Sequence, residues 1–206
     1  MGRSTGNHTE TESTDMAQFF DHIPAALQDL IKRQHVFFTA STTAGARINL
    51  SPKGSDCLRV IGDKEVVYLD QTGSGNETAA HIRSDGRLTI MFCTFEGAPM
   101  ILRLYGSGRV LPRGTEAYNS LLASAFANDE PPGARQIIAL DVESVQTSCG
   151  FAVPVMNFEH DRTMLTEWAT RKGPDGIDTY WRERNTVSID GIPTGMREVL
   201  EPAAGE

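Results

Sequence analysis

The chain has 206 residues, 39% of them apolar and 22% charged, which suits one globular domain with room for appendages. A formal net charge of -8 with no Lys/Arg run excludes the clustered basic footprint that displaces counterions from nucleic acid. No apolar stretch reaches the length of a bilayer span and the polar N-terminus lacks an apolar h-region, so no membrane partner is expected and the cytosol is the expected compartment.

Residues 1–15, rich in Ser, Thr, Glu and Asn, predict a disordered tail. The run FFDHIPAALQDLIKRQH then predicts a helix, with Pro24 in its first turn and Ile23, Leu27, Leu30 and Ile31 on one face. From His35 onward the chain turns β-rich: HVFFTAST, ARINLSP, CLRVI, EVVYLD, RLTIMFCTF and MILRLYGSGRV are short runs of β-branched and aromatic residues. Turn signals separate neighbouring runs at Ser51-Pro52-Lys53-Gly54, Gly62-Asp63 and Glu96-Gly97-Ala98-Pro99. Evenly spaced strands of this kind predict an antiparallel barrel or sandwich. TEAYNSLLASAFA adds an amphipathic helix and RQIIALDVESVQT a further strand, closing a domain over residues 16–150.

Residues 151–206 are polar and dotted with aromatics, with helices expected around RTMLTEWATRK and TYWRERN. They hold no second core of independent size, so they are expected to wrap the barrel or a partner subunit. Cys57, Cys93 and Cys149 form no CxxC pair; the first two lie in apolar runs, as buried inert thiols do. The five histidines show no ligand spacing, so no metal site is expected.

Chemistry concentrates in YLDQTGSGNETAAHIRSDGR. A strand ends at Asp70, a Gly/Ser turn follows, and a helix begins near Asn76. Unpaired N–H groups and the positive dipole end make such a helix start an anion site, with Gly73 and Gly75 allowing close approach and Ser74, Asn76 and Thr78 adding hydrogen bonds. The plain alternative is a capping box, in which Ser74 and Glu77 satisfy the helix's own N–H groups. A dinucleotide fingerprint is the weaker reading, because Thr78 stands where its third glycine would be. One hairpin earlier, Arg47 at a strand start and Lys53 in the following turn offer a guanidinium fork and a point charge to the same anion.

The succession R-I-N-L-S-P-K-G, R-V-I-G-D-K-E-V-V-Y-L-D, G-S-G-N-E-T-A-A-H-I, R-L-T-I-M-F and R-L-Y-G-S-G-R-V resembles the pyridoxamine 5'-phosphate oxidase-like, FMN-binding split-barrel family over about residues 17–146. The resemblance implies a mainly β fold with flanking helices, a six-stranded antiparallel split β-barrel. It implies a homodimer with the cofactor FMN at its interface and oxidoreductase chemistry on a small organic substrate, or a non-enzymatic flavin- or haem-binding protein on the same barrel. Arg47 stands where the family holds the FMN phosphate, and Ile48, Asn49 and Leu50 where its backbone runs along the flavin ring, with Ser51 just beyond. Leu69 and Asp70 match the next strand end, and Ser74, Gly75, Asn76 and Thr78 the second phosphate segment. There the oxidases carry Ser-Arg-Lys against this chain's Asn76-Glu77-Thr78, which implies weaker FMN retention than in the oxidases or a changed cofactor. The C-terminal CGFAVP and YWRERNTVSIDGIP resemble a bacterial and fungal subgroup rather than the pyridoxal-forming oxidases. The oxidases' substrate clamp has no counterpart in spacing here, and Trp181 reads as a packing anchor in the dimer.

Overall fold

A computed structural model describes residues 17–201, so the expected N-terminal tail lies outside the described residues. The elements run β1 (Gln18–Phe20), α1 (Ala25–Lys32), β2 (Phe37–Ser41), β3 (Asn49–Lys53), β4 (Leu58–Val60), β5 (Glu65–Gln71), α2 (Glu77–Asp85), β6 (Arg87–Cys93), β7 (Met100–Pro112), α3 (Glu116–Phe126), β8 (Ala134–Cys149), α4 (Met164–Arg184) and α5 (Met196–Leu200). The strands form one antiparallel sheet in the order β3-β2-β6-β7-β8-β5-β4, with β1 also paired to β8.

The mainly β barrel with flanking helices is as expected, but eight strands are described where six were expected. One of the two additional strands arises at β8, which is long enough at 16 residues to serve two partners on one edge. Its first half pairs β5 and its second half pairs β1, while β7 runs along the other edge. Phe19 and Phe20, expected in the first helix, are drawn into β1 by that free length of β8, and α1 begins only after Pro24. A bulge at Tyr105/Gly106 bends the β7–β8 pair. A side chain at Gly106 would meet the Asp141 carbonyl oxygen at 1.9 Å, so only glycine admits this approach.

Alternation sorts side chains onto two apolar layers. Val66 and Tyr68 of β5 and Ile138 and Leu140 of β8 point into the barrel with Ile31, Phe37, Phe92 and Leu104. Val67 and Leu69, with Ile137 and Ala139, point outward under Tyr118 and Phe126 of α3. Covering both faces explains why these strands read as unbroken apolar runs. A third cluster joins Ala169, Ile177 and Trp181 of α4 to Met196 of α5. The two expected C-terminal helices are segments of α4 broken at Gly173 (φ 67, ψ 171), where Pro174 follows. No helix among the described residues is long and apolar enough to cross a membrane.

Candidate functional site

β5 carries Val66, Tyr68 and Asp70 on its barrel-facing side, so the period of two delivers a carboxylate to the barrel's mouth. Asp70 is 3% exposed and accepts from Lys53 Nζ at 2.7 Å, Arg135 Nε at 2.8 Å and Gln136 Nε2 at 2.8 Å. Burial pushes its pKa up, but the Arg135 and Lys53 charges outweigh burial and hold the carboxyl well below the usual carboxylate range. Arg135 also donates to the carbonyl of Gly75 and to Asn185 Oδ1, each at 2.9 Å, and Gln136 donates to Asn76 Oδ1 at 2.8 Å. One buried guanidinium therefore fixes the end of β5, the glycine turn and the start of the C-terminal segment.

Above this floor lies an open cleft of about 720 Å³, within the roughly 300–1,000 Å³ of ligand clefts. One wall is the inward row of β3, Asn49, Ser51 and Lys53. The opposite wall is the turn and first residues of α2, Gly73 to Gly75 with Glu77 and Thr78. Hydrogen bonds tie the walls together: Asn49 Nδ2 donates to Thr78 Oγ1 at 3.0 Å and to Ser41 Oγ at 3.2 Å, and Ser51 Oγ donates to Asn49 Oδ1 at 3.1 Å. Ser41 lies 3.1 Å from Nδ1 of buried His81, which stiffens this row from behind. Glu183, Arg184 and Val187 to Ile189 close the third side.

The expected residues thus divide. Asn49, Ser51, Lys53, Asp70, Ser74, Gly75 and Thr78 line the cleft. Asn76 is buried beneath it as the N-cap residue of α2, and its Nδ2 has no hydrogen-bond partner among the described residues. Leu69 points into the layer under α3, and Ile48 and Leu50 point to solvent, 77% and 64% exposed. Arg47 is exposed, and its guanidinium and backbone N–H both engage the Asp190 carboxylate.

The capping box does not form. Asn76, not Ser74, occupies the cap position, and no side chain caps the helix. Glu77 instead accepts the backbone N–H of Ile189 on both carboxylate oxygens at 3.1 Å, a tertiary partner displacing the local one. Ser74→Ala is accordingly expected to change stability by less than about 0.5 kcal/mol in urea unfolding, where loss of a capping serine costs about 1 kcal/mol.

Arg135, Gln136, Asn185 and Asp190 escaped the reading of the sequence. The available signal was the polar pair Arg135-Gln136 directly ahead of the apolar run Ile137 to Leu140: charge at a strand position destined for burial requires a buried partner. Trp181, expected as a packing anchor in the dimer, packs within its own chain: it is 3% exposed and donates from Nε1 to Thr72 Oγ1 at 2.8 Å, pinning α4 beside the glycine turn.

The family profile described as pyridoxamine 5'-phosphate oxidase matches residues 23–149, the span from the approach to α1 to the end of β8. The pyridoxamine 5'-phosphate oxidase family protein ustO of Aspergillus flavus is 34% identical over 196 residues, covering 86% of this chain and 78% of that protein. Among solved structures, a variant of HupZ from Group A Streptococcus superposes with a TM-score of 0.50 at 23% identity, covering 61% of this chain and 98% of that one, a likeness of fold. The profile match takes in both walls and the floor of the cleft, and the relative's identity extends over most of the chain; this protein belongs to the pyridoxamine 5'-phosphate oxidase family.

Proposed function

We propose that the cleft between β3 and α2 binds FMN and that the protein is a flavin-dependent oxidoreductase for a small organic substrate. The observation that carries this reading is the polar lining of one cleft in a chain of this family: Asn49, Ser51 and Lys53 on one wall, Thr78 and the glycine turn on the other. Of the three acids lining the cleft, Asp70 is engaged with Arg135 and Lys53 and Glu77 with the Ile189 amide, while Glu183 stands on the third side beside Arg184. Bound FMN would supply the electron chemistry, and the protein would position it.

β3 pairs with β2 alone, so the N–H groups of its free edge are available to a ligand, and Pro52 is tolerated there. The exposed Ile48 and Leu50 on the outer face of this edge strand favour a homodimer whose partner covers β3 and helps enclose the cofactor. Three unpaired cysteines suit a cytosolic setting. Burial pushes the Cys57 thiol up to about 12, which leaves it protonated at neutral pH and unsuited to thiolate chemistry.

The test is the visible spectrum of the purified untagged protein before and after denaturation, with the mass of any released ligand. A two-banded flavin spectrum and an FMN mass support the reading. A colourless protein that also fails to bind added FMN at micromolar concentration overturns it, and a Soret band would point to a haem carrier on the same barrel.

A further inference from the structure

Between Asn185 and Thr194 the chain makes a short strap along the cleft. Its ends are buried and tied down: Asn185 accepts from Arg135 and donates to the Gly73 carbonyl at 3.2 Å, and Thr194 Oγ1 donates to the Asn185 carbonyl at 2.5 Å. Its middle is different. Val187 and Ile189 are 49% and 71% exposed, so little apolar burial holds them down. A tight turn shapes this middle: the Gly191 N–H donates to the Ser188 carbonyl at 3.0 Å, and Ser188 Oγ accepts from the amides of Asp190 at 3.3 Å and Ile192 at 3.0 Å. Gly191 sits at φ +79, the left-handed conformation that glycine adopts without strain.

The turn presents Asp190 to Arg47. One carboxylate oxygen accepts the Arg47 backbone N–H at 2.8 Å and the other meets its guanidinium. Two donors of different origin converging on a single acid form an anion site, here filled by the chain's own carboxylate. The second attachment of the middle is Glu77, which grips the Ile189 N–H from the first residue of α2. The second attachment belongs to the cleft, since Ile189 and Glu77 line it, and the first adjoins it, since Arg47 lies two residues before β3, the strand that forms one wall.

We propose that Asp190 is an internal stand-in for a ligand phosphoryl group: it occupies Arg47 in the free protein and is displaced when a phosphorylated ligand enters, so the strap sets the preference for phosphorylated over unphosphorylated ligands. The proposal rests on the reading of the cleft as a flavin site. A dianionic phosphate offers Arg47 more charge and more acceptors than one carboxylate, and an ion pair whose guanidinium is open to solvent is weak enough to be exchanged. The buried ends, Asn185 and Thr194, would serve as fixed points, with buried Ser188 shaping the turn that carries Asp190.

The experiment titrates FMN and riboflavin into the full-length protein and its Asp190→Asn variant. In parallel, amide hydrogen exchange of the segment Thr186 to Gly191 is followed in the wild type with and without sodium pyrophosphate. Asp190→Asn should bind FMN about fivefold tighter than wild type, the most an exposed ion pair typically withholds, with riboflavin affinity unchanged. Pyrophosphate should speed exchange at the Ile189 amide. An unchanged FMN affinity, or an equal gain for riboflavin, overturns the role of Asp190 whatever the exchange shows. If neither flavin binds either protein, the flavin reading fails, and the exchange experiment decides the strap alone: acceleration by pyrophosphate upholds displacement by a phosphoryl anion, and unaltered exchange refutes it.

Discussion

Replacing Arg135 by methionine should lower the free energy of unfolding by about 3–5 kcal/mol, because it leaves the Asp70 carboxylate buried with only Lys53 as a charged partner. The guanidinium is 4% exposed and makes three hydrogen bonds to elements far apart in sequence, so its loss also frees the Gly75 carbonyl and Asn185. Urea unfolding at neutral pH measures the effect. The acid limb gives an independent signature. The folded pKa of Asp70 is depressed, so the folded protein binds fewer protons there than the unfolded chain, whose Asp titrates near ~3.9. Its contribution is therefore present in full above that value and is lost as pH falls toward the folded pKa. Without Arg135, burial is opposed by Lys53 alone, the folded pKa rises, and the acid limb of the variant begins at higher pH. The double variant Asp70→Asn/Arg135→Met should recover part of the loss, since the uncompensated charge is gone. Failure to recover any of it would assign the loss to packing around residue 135.

Trp181→Ala should cost about 3–5 kcal/mol, concentrated in the C-terminal segment rather than spread over the barrel. Trp181 centres the cluster of Ala169, Ile177 and Met196, and its indole N–H is held by Thr72 at the turn below the cleft. Trp181→Phe keeps most of the apolar contact and loses the hydrogen bond, so about 1 kcal/mol is expected from it. Limited proteolysis should show new cleavage near Gly173, where α4 is already broken, in the alanine variant and little in the phenylalanine variant. Because Glu183 to Ile189 form one side of the cleft, the alanine variant should also bind FMN more weakly, even under conditions that leave the barrel folded. A loss of FMN affinity equal in both variants would instead place the indole N–H, and not the packing of α4, behind the shape of the cleft.

The β runs, the turns between them and the alternation of β3 follow from neighbours in the chain. Period two alone assigns Asn49, Ser51 and Lys53 to one face of β3, and the turn chemistry around Gly73 places the start of α2 within one residue of Asn76. The order of motifs carried the family and its barrel. Local patterns stop being informative where a distant partner competes. Ser74-Gly75-Asn76-Glu77 spells a capping box, yet Glu77 turns to Ile189, 112 residues away, because the C-terminal strap brings it an unpaired N–H. Phe19 and Phe20 fit a helical face, yet the unpaired second half of β8 captures them as a strand. Arg47 and Lys53, both free cations on paper, meet Asp190 and Asp70 at separations of 143 and 17 residues. An ion pair depends on which strand ends share a barrel mouth and where the last forty residues return, and neither is written in the spacing of residues along one element. Chain-local chemistry drew the scaffold of the cleft; its charge pairing, its buried floor at Asp70 and Arg135, and the strap along its side arose only when the sheet curled and brought the C-terminal segment back over it.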